Sequence, residues 1–209
     1  MQKELIRGSV LLLIAFGIFS FITFLFQVII ARMLSFSDYG ILGALSSIIY
    51  IISIFSESVQ TVITKYAAKE RTPGKLKNIF KRAYKKVFYA SLLMYILYLA
   101  ISIPLSYILK IDYLLLSVNG LFIFISFFVP IGRGIMQGSE KFKSLGWNMI
   151  AESFGKLFFG VLLVYVGWRV YGAAAGILIG GLIGFLFGIL ALRDVLRAKE
   201  EKVHARNNQ

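Results

Sequence analysis

Six apolar runs, at approximately 9–31, 41–64, 87–109, 113–135, 147–168 and 172–192, divide this chain. Each is close to the ~20 residues that an α-helix needs to cross the hydrocarbon of a bilayer. In lipid every backbone N–H and C=O must find its partner inside the protein, so only helices and closed barrels can span. A barrel would read as segments of ~10 residues with alternating polarity, whereas these runs are unbroken. Of 209 residues, 58% are hydrophobic and 16% charged, with a mean hydropathy of +0.80. Soluble domains sit nearer ~45–50% apolar and ~25% charged, and one soluble core of this length could not enclose so much apolar helix. The expected fold is all-α: a polytopic membrane unit of six transmembrane helices over 1–192, then a basic tail over 193–209.

The first run follows MQKELIRGS and exceeds the 7–15 apolar residues of a signal peptide, with no small-residue cleavage site after it. It reads as a retained first helix. No cysteine is present, which removes disulfide, thiolate and cysteine-zinc chemistry. His204, in the tail, is the one side chain with an ordinary pKa near neutrality.

A net charge of +13 invites a nucleic-acid reading, and the placement of the charges argues for topology instead. Lys3 and Arg7 precede the first helix. Nine cations from Lys65 to Lys86 lie between the second and third, Arg133, Lys141 and Lys143 between the fourth and fifth, and five from Arg193 to Arg206 after the sixth. If six helices alternate, these regions share one side and hold 19 of the 23 basic residues. Arg32, Lys110 and Arg169 fall on the other side, and Lys156 within the membrane. The positive-inside rule then puts both termini in the cytoplasm of a multi-pass cell-membrane protein, and the charge needs no nucleic acid.

The loop RTPGKLKNIFKRAYKKVF has a pattern of its own. Leu76, Ile79, Phe80, Ala83, Tyr84 and Val87 repeat at helical spacing between lysines and arginines, and Pro73 suits a first helical turn. This predicts an amphipathic helix over 73–86 lying on the inner membrane face before the third span. It serves either topology and anionic-lipid contact or the uptake of an anionic lipid substrate. In the sixth run Gly172, Gly176, Gly180, Gly184 and Gly188 recur every four residues, which makes a helix-packing face where another backbone can approach closely. Spacing does not say whether that helix belongs to this chain. Pro104 and Pro130 lie inside the third and fourth helices and predict kinks.

The stretch IAESFGKLFFG carries Glu152 and Lys156 into an apolar helix, four residues apart in the order that favours an ion pair on one face. Charges near a bilayer centre cost ~2.5–3.5 kcal/mol each on an insertion scale and generally face a bundle interior or a watery cavity. Glu57 and Gln60 in the second helix fall at similar depth. Two readings stay open. Glu57, Gln60 and Glu152 form a cavity or ion-coupling group, with Lys156 able to hold a phosphate, or Glu152 and Lys156 are a self-satisfied pair locking the fifth helix to the second.

The segment IARMLSFSDYGILGALSSIIYIIS resembles the signature that joins the first two helices of polysaccharide-export and O-antigen-type flippases. These belong to the superfamily that also contains the multidrug and toxin extrusion (MATE) transporters. Ala31, Arg32, Leu34, Asp38, Tyr39 and Gly40 match its "AR-LL-G---DYG" pattern. Arg133, Gly134, Gln137, Gly138, Lys141 and Phe142 in GRGIMQGSEKF match its "RG--QG--KF" connection between helices four and five. AESFGKL and VYGAAAGILIG resemble the family's fifth and sixth helices, so the likeness covers nearly the whole chain in order.

The resemblance implies one six-helix lobe of a MATE-like two-lobe transporter that flips lipid-linked oligosaccharide or polysaccharide precursors by alternating access. Its partners would be membrane lipid, a polyprenyl-(pyro)phosphate-linked glycan, and a second lobe supplied by homodimerisation or a separate chain. Family members normally have twelve or fourteen helices, so a half-length or truncated member is expected. Headgroup candidates are Arg133, Lys156 and Arg32. Asp38, three residues after Ser35, is expected to cap the second helix and to pair with Arg32. Two other classes remain: a MATE-like cation-coupled exporter using Glu57 and Glu152, and a non-transporting scaffold in glycan assembly docking through the glycine face. No nucleophile stands beside a base, no metal-ligand spacing occurs and no GxxxxGK[ST] loop is present, so neither an enzyme nor a cofactor or metal is expected.

Overall fold

The computed structural model describes residues 2–70 and 72–199, with side chains from residue 6 onward. Arg71, His204, Lys202, Arg206 and the rest of the tail beyond 199 lie outside the described residues, as does the side chain of Lys3. All regular structure among the described residues is helical: α1 (Gln2–Met33), α2 (Phe36–Lys69), α3 (Pro73–Leu109), α4 (Tyr113–Gly120), α5 (Phe122–Gly138), α6 (Phe142–Leu163), α7 (Arg169–Ala191) and α8 (Arg193–Arg197). A π-helical turn, Val164–Trp168, joins α6 to α7.

Five stretches are long and apolar enough to cross a membrane, and the last, Phe142–Ala191, is 50 residues long. It is a hairpin rather than a single rod. Gly167 has φ +101°, a conformation that glycine adopts without the Cβ penalty, and the chain reverses there. Six crossings result, with α4 and α5 sharing the fourth.

The α6–α7 hairpin is registered by its glycines. A Cβ on Gly172 would meet the backbone of Leu163 and Val164, one on Gly176 that of Gly160, and one on Gly180 the backbone of Lys156 and Glu152. On Gly184 it would meet the Glu152 side chain, and on Gly188 the Asn148 amide. Each step of four along α7 is matched by a step of four backwards along α6. The glycine face is therefore used inside the chain.

Two further contacts complete the bundle. Helix α1 runs parallel to α6, with Gly8 against Phe142, Gly146 against Ala15 and Gly160 against Phe26. Helix α2 runs parallel to α5. There Gly134 leaves room for the Gln60 carbonyl and Ile63, and Gly138 for the Thr64 carbonyl and Ala67, each within 3 Å of where a methyl group on that glycine would sit. One end of the bundle gathers the α1–α2, α3–α4 and α6–α7 turns around a core of Ile30, Leu45, Leu116 and Ala173. The other, basic end gathers the start of α1, the α2–α3 and α5–α6 turns and α8 around Ile131, Ile135, Met136 and Leu192.

The amphipathic stretch departs from expectation. It is the first part of α3, which continues without a break from Pro73 to Leu109, because no glycine or proline intervenes between Gly74 and Pro104. Its apolar side does not lie on the bilayer. Leu76 is buried, and Ile79, Phe80, Ala83, Tyr84 and Val87 pack on the core at the basic end. Tyr84 stacks on Phe128 with ring centroids 4.7 Å apart, Lys75 pairs with Glu70 at 3.0 Å, and Lys77 donates to the Ala198 carbonyl at 2.8 Å. At 37 residues this helix is ~55 Å long, so its basic part projects past the hydrocarbon.

Helices α3 and α5 also continue through Pro104 and Pro130. The fourth span is interrupted at Leu121, whose N–H turns to the Val118 carbonyl. That leaves the Ser117 carbonyl for the Tyr95 hydroxyl at 3.3 Å, while Tyr98 donates to Leu116 O at 3.0 Å. Gly120 makes room for both tyrosine rings.

Replacing Gly176 by Ala should destabilise the purified protein by ~1–3 kcal/mol, the usual cost of overpacking, because the new methyl meets backbone rather than a movable side chain. Gly43→Ala, where nothing lies within 4 Å, should be neutral. Thermal unfolding midpoints in one detergent compare the two.

Candidate functional site

The charges of the membrane interior meet where α5, α6 and α7 cross. Arg133 of α5 donates through Nε to Asn148 Oδ1 at 2.8 Å and through a terminal nitrogen to Glu152 Oε2 at 2.5 Å. Asn148, fully buried, donates its Nδ2 to the Gly184 carbonyl at 2.5 Å. Side chains of Arg133 and Glu152 are 15% and 22% exposed, so the pair is mostly desolvated. Gly184 serves twice: its carbonyl receives Asn148, and its missing side chain leaves the space that the Glu152 carboxylate fills.

Lys156 turns elsewhere. Its Nζ donates to Thr23 Oγ1 of α1 at 3.1 Å and stands 5.3 Å from the centre of the Phe26 ring, close enough for a cation–π attraction. The expected pairing of Glu152 with Lys156 is thus replaced by Glu152 with Arg133. The reason is helical geometry. A step of four residues advances 400° at 3.6 residues per turn, so each member of the series Asn148, Glu152, Lys156 is rotated by ~40° from the one before. Glu152 still faces α5, and Lys156 has swung toward α1.

Neither Glu57 nor Gln60 joins this group. Gln60 donates to Gln137 Oε1 at 3.1 Å, which also accepts from Thr64 at 3.3 Å, and this knot ties α2 to α5. Glu57 is exposed on the outer side of α2, with no side-chain partner among the described residues. The anticipated locking of the fifth span to the second is not made: these glutamines, with Gly134 and Gly138, tie α2 to α5 of the fourth span instead. Arg32 is exposed in the last turn of α1, at the opposite end of that helix from the start of α6.

At the turn end, the cap of α2 is Ser35, whose Oγ accepts from the Asp38 N–H at 3.2 Å and donates to Asp38 Oδ2 at 2.9 Å. Asp38 pairs with Arg169, not Arg32: Nε and a terminal nitrogen of Arg169 both reach Oδ2 at 2.9 Å. Arg169 is placed for this by its positive φ of 47° just after the Gly167 reversal. Since the Arg169 side chain is 71% exposed, the pair contributes at most ~1 kcal/mol. A second clasp joins Tyr171 of α7 to Asp112 in the α3–α4 turn. That hydroxyl, helped by the Leu114 N–H, holds the Asp112 carboxyl below its ordinary range, so it stays ionised at neutral pH. Both clasps border a cleft of about 670 Å³ that Trp168, Leu114 and Val118 wall with apolar surface.

Sequence reasoning passed over Asn148 and Tyr171. Asn148 carried a signal, since it stands four residues before Glu152 in the run already singled out for its charges. Tyr171 and Arg169 carried none, because only the hairpin brings them to Asp112 and Asp38.

If the Arg133–Glu152 pair is intact, removing one member leaves a buried charge unpaired. Arg133→Met and Glu152→Met should each destabilise by ~3–5 kcal/mol, and the double variant by less than the two together. A double-mutant cycle on unfolding in detergent measures the coupling.

Three comparisons place the chain among known proteins. The family described as "Polysaccharide biosynthesis protein" matches residues 5–208. An uncharacterized membrane protein of Methanocaldococcus jannaschii is 28% identical over 183 residues, which are 84% of this chain and 42% of that protein. Among solved structures, a MOP superfamily transporter from Pyrococcus furiosus, described as having a binding pocket of reverse polarity, superposes with a TM-score of 0.70 at 14% identity. That match covers 97% of this chain and 47% of the transporter. The chain thus spans less than half the length of the relatives it matches, and it shares the fold of a MOP transporter over that part. On the family match across nearly all of its residues, this multi-pass membrane protein belongs to the polysaccharide biosynthesis protein family.

Proposed function

We propose that this chain forms one lobe of a two-lobe alternating-access transporter that flips lipid-linked oligosaccharide or polysaccharide precursors, with its basic end in the cytoplasm. The second lobe would come from further residues of a longer polypeptide, from a separate chain or from a second copy. One observation carries the reading: the bundle interior holds two cations and one carboxylate, with Arg133 of α5 on Glu152 of α6 and Lys156, one turn further along α6, turned toward α1. The excess is positive, which suits a phosphate or diphosphate headgroup. Arg133 already grips an anionic oxygen there through Glu152, and a phosphate oxygen offers the same acceptor to the same planar fork. Exchange of Glu152 for phosphate on Arg133 would let the cargo itself loosen α5 from α6. Lys156, held only by a hydroxyl and a ring, is the cation more free to turn toward cargo. Protein groups here supply binding and positioning, and no bond is made or broken, so the reading is a transporter and not an enzyme.

A second reading, a cation-coupled small-molecule exporter, draws on the exposed carboxylate of Glu57, which has no partner among the described residues. The glycan-assembly scaffold has no support of this kind, since its docking face is occupied by α6.

In vesicles containing the transporter with its second lobe and a fluorescent polyprenyl-diphosphate glycan, Lys156→Met should slow flipping at least tenfold without moving the unfolding midpoint. Arg133→Lys, which keeps the charge and loses the fork, should slow it severalfold. Unchanged flipping in both variants would sink the reading, and loss of dye extrusion in Glu57→Gln would favour the exporter.

A further inference from the structure

We propose that a cleft at the basic end, separate from the Arg133 group, holds the phosphodiester headgroup of an anionic membrane phospholipid. The cleft has a volume of about 620 Å³ and lies between the first turns of α1, the α5–α6 turn and the α7–α8 junction. Its polar wall brings together Arg7, Lys141, Lys143 and the Ser144 hydroxyl, and Leu11, Phe142 and Ala191 make the remainder apolar.

These cations are brought together by packing. Gly8 has no side chain, so the Phe142 ring lies against the α1 backbone, and Arg7 is carried to the turn that bears Lys141 and Lys143. None of these three side chains has a hydrogen-bond or ion-pair partner among the described residues. Three like charges in one cleft repel, and a bound anion relieves that repulsion. Glu140 and Asp194 also border the cleft. Asp194 leans toward Arg193 at 3.9 Å, and neither carboxylate pairs with the three cations. Helix α6 begins here with Lys141 as its N-cap residue and no side chain capping its first turn. Its free N–H groups add donors of the kind that receive phosphate oxygens.

Three cations face the cleft, and of its two carboxylates Asp194 already leans toward Arg193, so the excess charge is positive and suits a phosphate. The mixed wall selects a lipid over a free ion: phosphate suits the polar side, and a glycerol backbone suits Leu11, Phe142 and Ala191. Ile6 and Val10, on the same turns of α1, are exposed and continue the apolar surface toward the acyl region. Lys143 precedes Glu152 by nine residues, ~14 Å along α6, so a lipid here does not reach the interior charges.

The test is native mass spectrometry of the full chain in detergent, titrated with phosphatidylglycerol, with phosphatidylcholine and inorganic phosphate as comparisons. Phosphatidylglycerol should bind, and the variant Arg7→Gln/Lys141→Gln/Lys143→Gln should bind it at least tenfold more weakly. The equally charge-reduced Arg82→Gln/Lys85→Gln/Lys86→Gln on exposed α3 should match the wild type. Equal loss in both triple variants would reduce the effect to bulk charge and overturn the site. Phosphatidylcholine binding as tightly, or millimolar inorganic phosphate displacing the lipid, would also overturn it. If the first triple variant does not fold, the exposed single change Lys143→Gln should weaken binding about threefold, and unchanged binding would overturn the proposal.

Discussion

The close approach of the α6 and α7 backbones sets the terms for the rest of the molecule. Between helices already in lipid there is no hydrophobic gain to be had, so association depends on dispersion contacts and interhelical hydrogen bonds. Glycines at four-residue steps allow the first, and the Asn148 amide on the Gly184 carbonyl is an example of the second. Because the stripe fixes the rotation of α6 about its axis, it also decides which neighbour each polar residue faces. Asn148 and Glu152 are delivered to Arg133, and Lys156 to α1. A packing device thereby becomes a device for arranging charge.

The resulting electrostatics are unequal at different depths. In the interior a guanidinium, an amide and a carboxylate satisfy one another, an arrangement that adds little net stability over apolar residues yet penalises any structure that separates them. It specifies the crossing of α5 and α6 more than it strengthens it. At the turn end, Asp38–Arg169 and Tyr171–Asp112 tie three separate connections together in more exposed surroundings. Their contribution is to hold the hairpins in register, since surface pairs of this kind contribute little energy.

The number of crossings, the glycine face and the presence of charges in the fifth span were all legible in the sequence, because each is a property of one helix. Length in apolar residues, four-residue repetition and polarity against an apolar background are local signals. Pairings between helices were not legible. Nothing in AESFGKL says that Glu152 meets Arg133, since that depends on which helix stands beside α6 and on a drift of ~40° per step. The amphipathic 73–86 stretch is a helix with one apolar side, as its spacing indicates, but that side accepts protein or lipid equally well by composition, and only the fold shows protein. Likewise Gly134 and Gly138 stood in a recognisable motif, and their physical reason, the backbone of α2, appears only with the packing.

Outside the α6–α7 hairpin, chain neighbours in this bundle are not its principal partners. Helix α1 leans on α6, and the Thr23–Lys156 bond closes a separation of 133 residues; α2 leans on α5, and Gln60 reaches Gln137 across 77. At ~5–20 residues per second, a newly made α1 waits on the order of ten seconds before its partner leaves the ribosome. Over that interval α1 and α2 reside in the membrane with their packing faces open to lipid, and Arg133 emerges ahead of the carboxylate that will neutralise it. Assembly of the bundle is consequently a late event, completed by the α6–α7 hairpin, and damage to that hairpin leaves α1 without the helix it packs on.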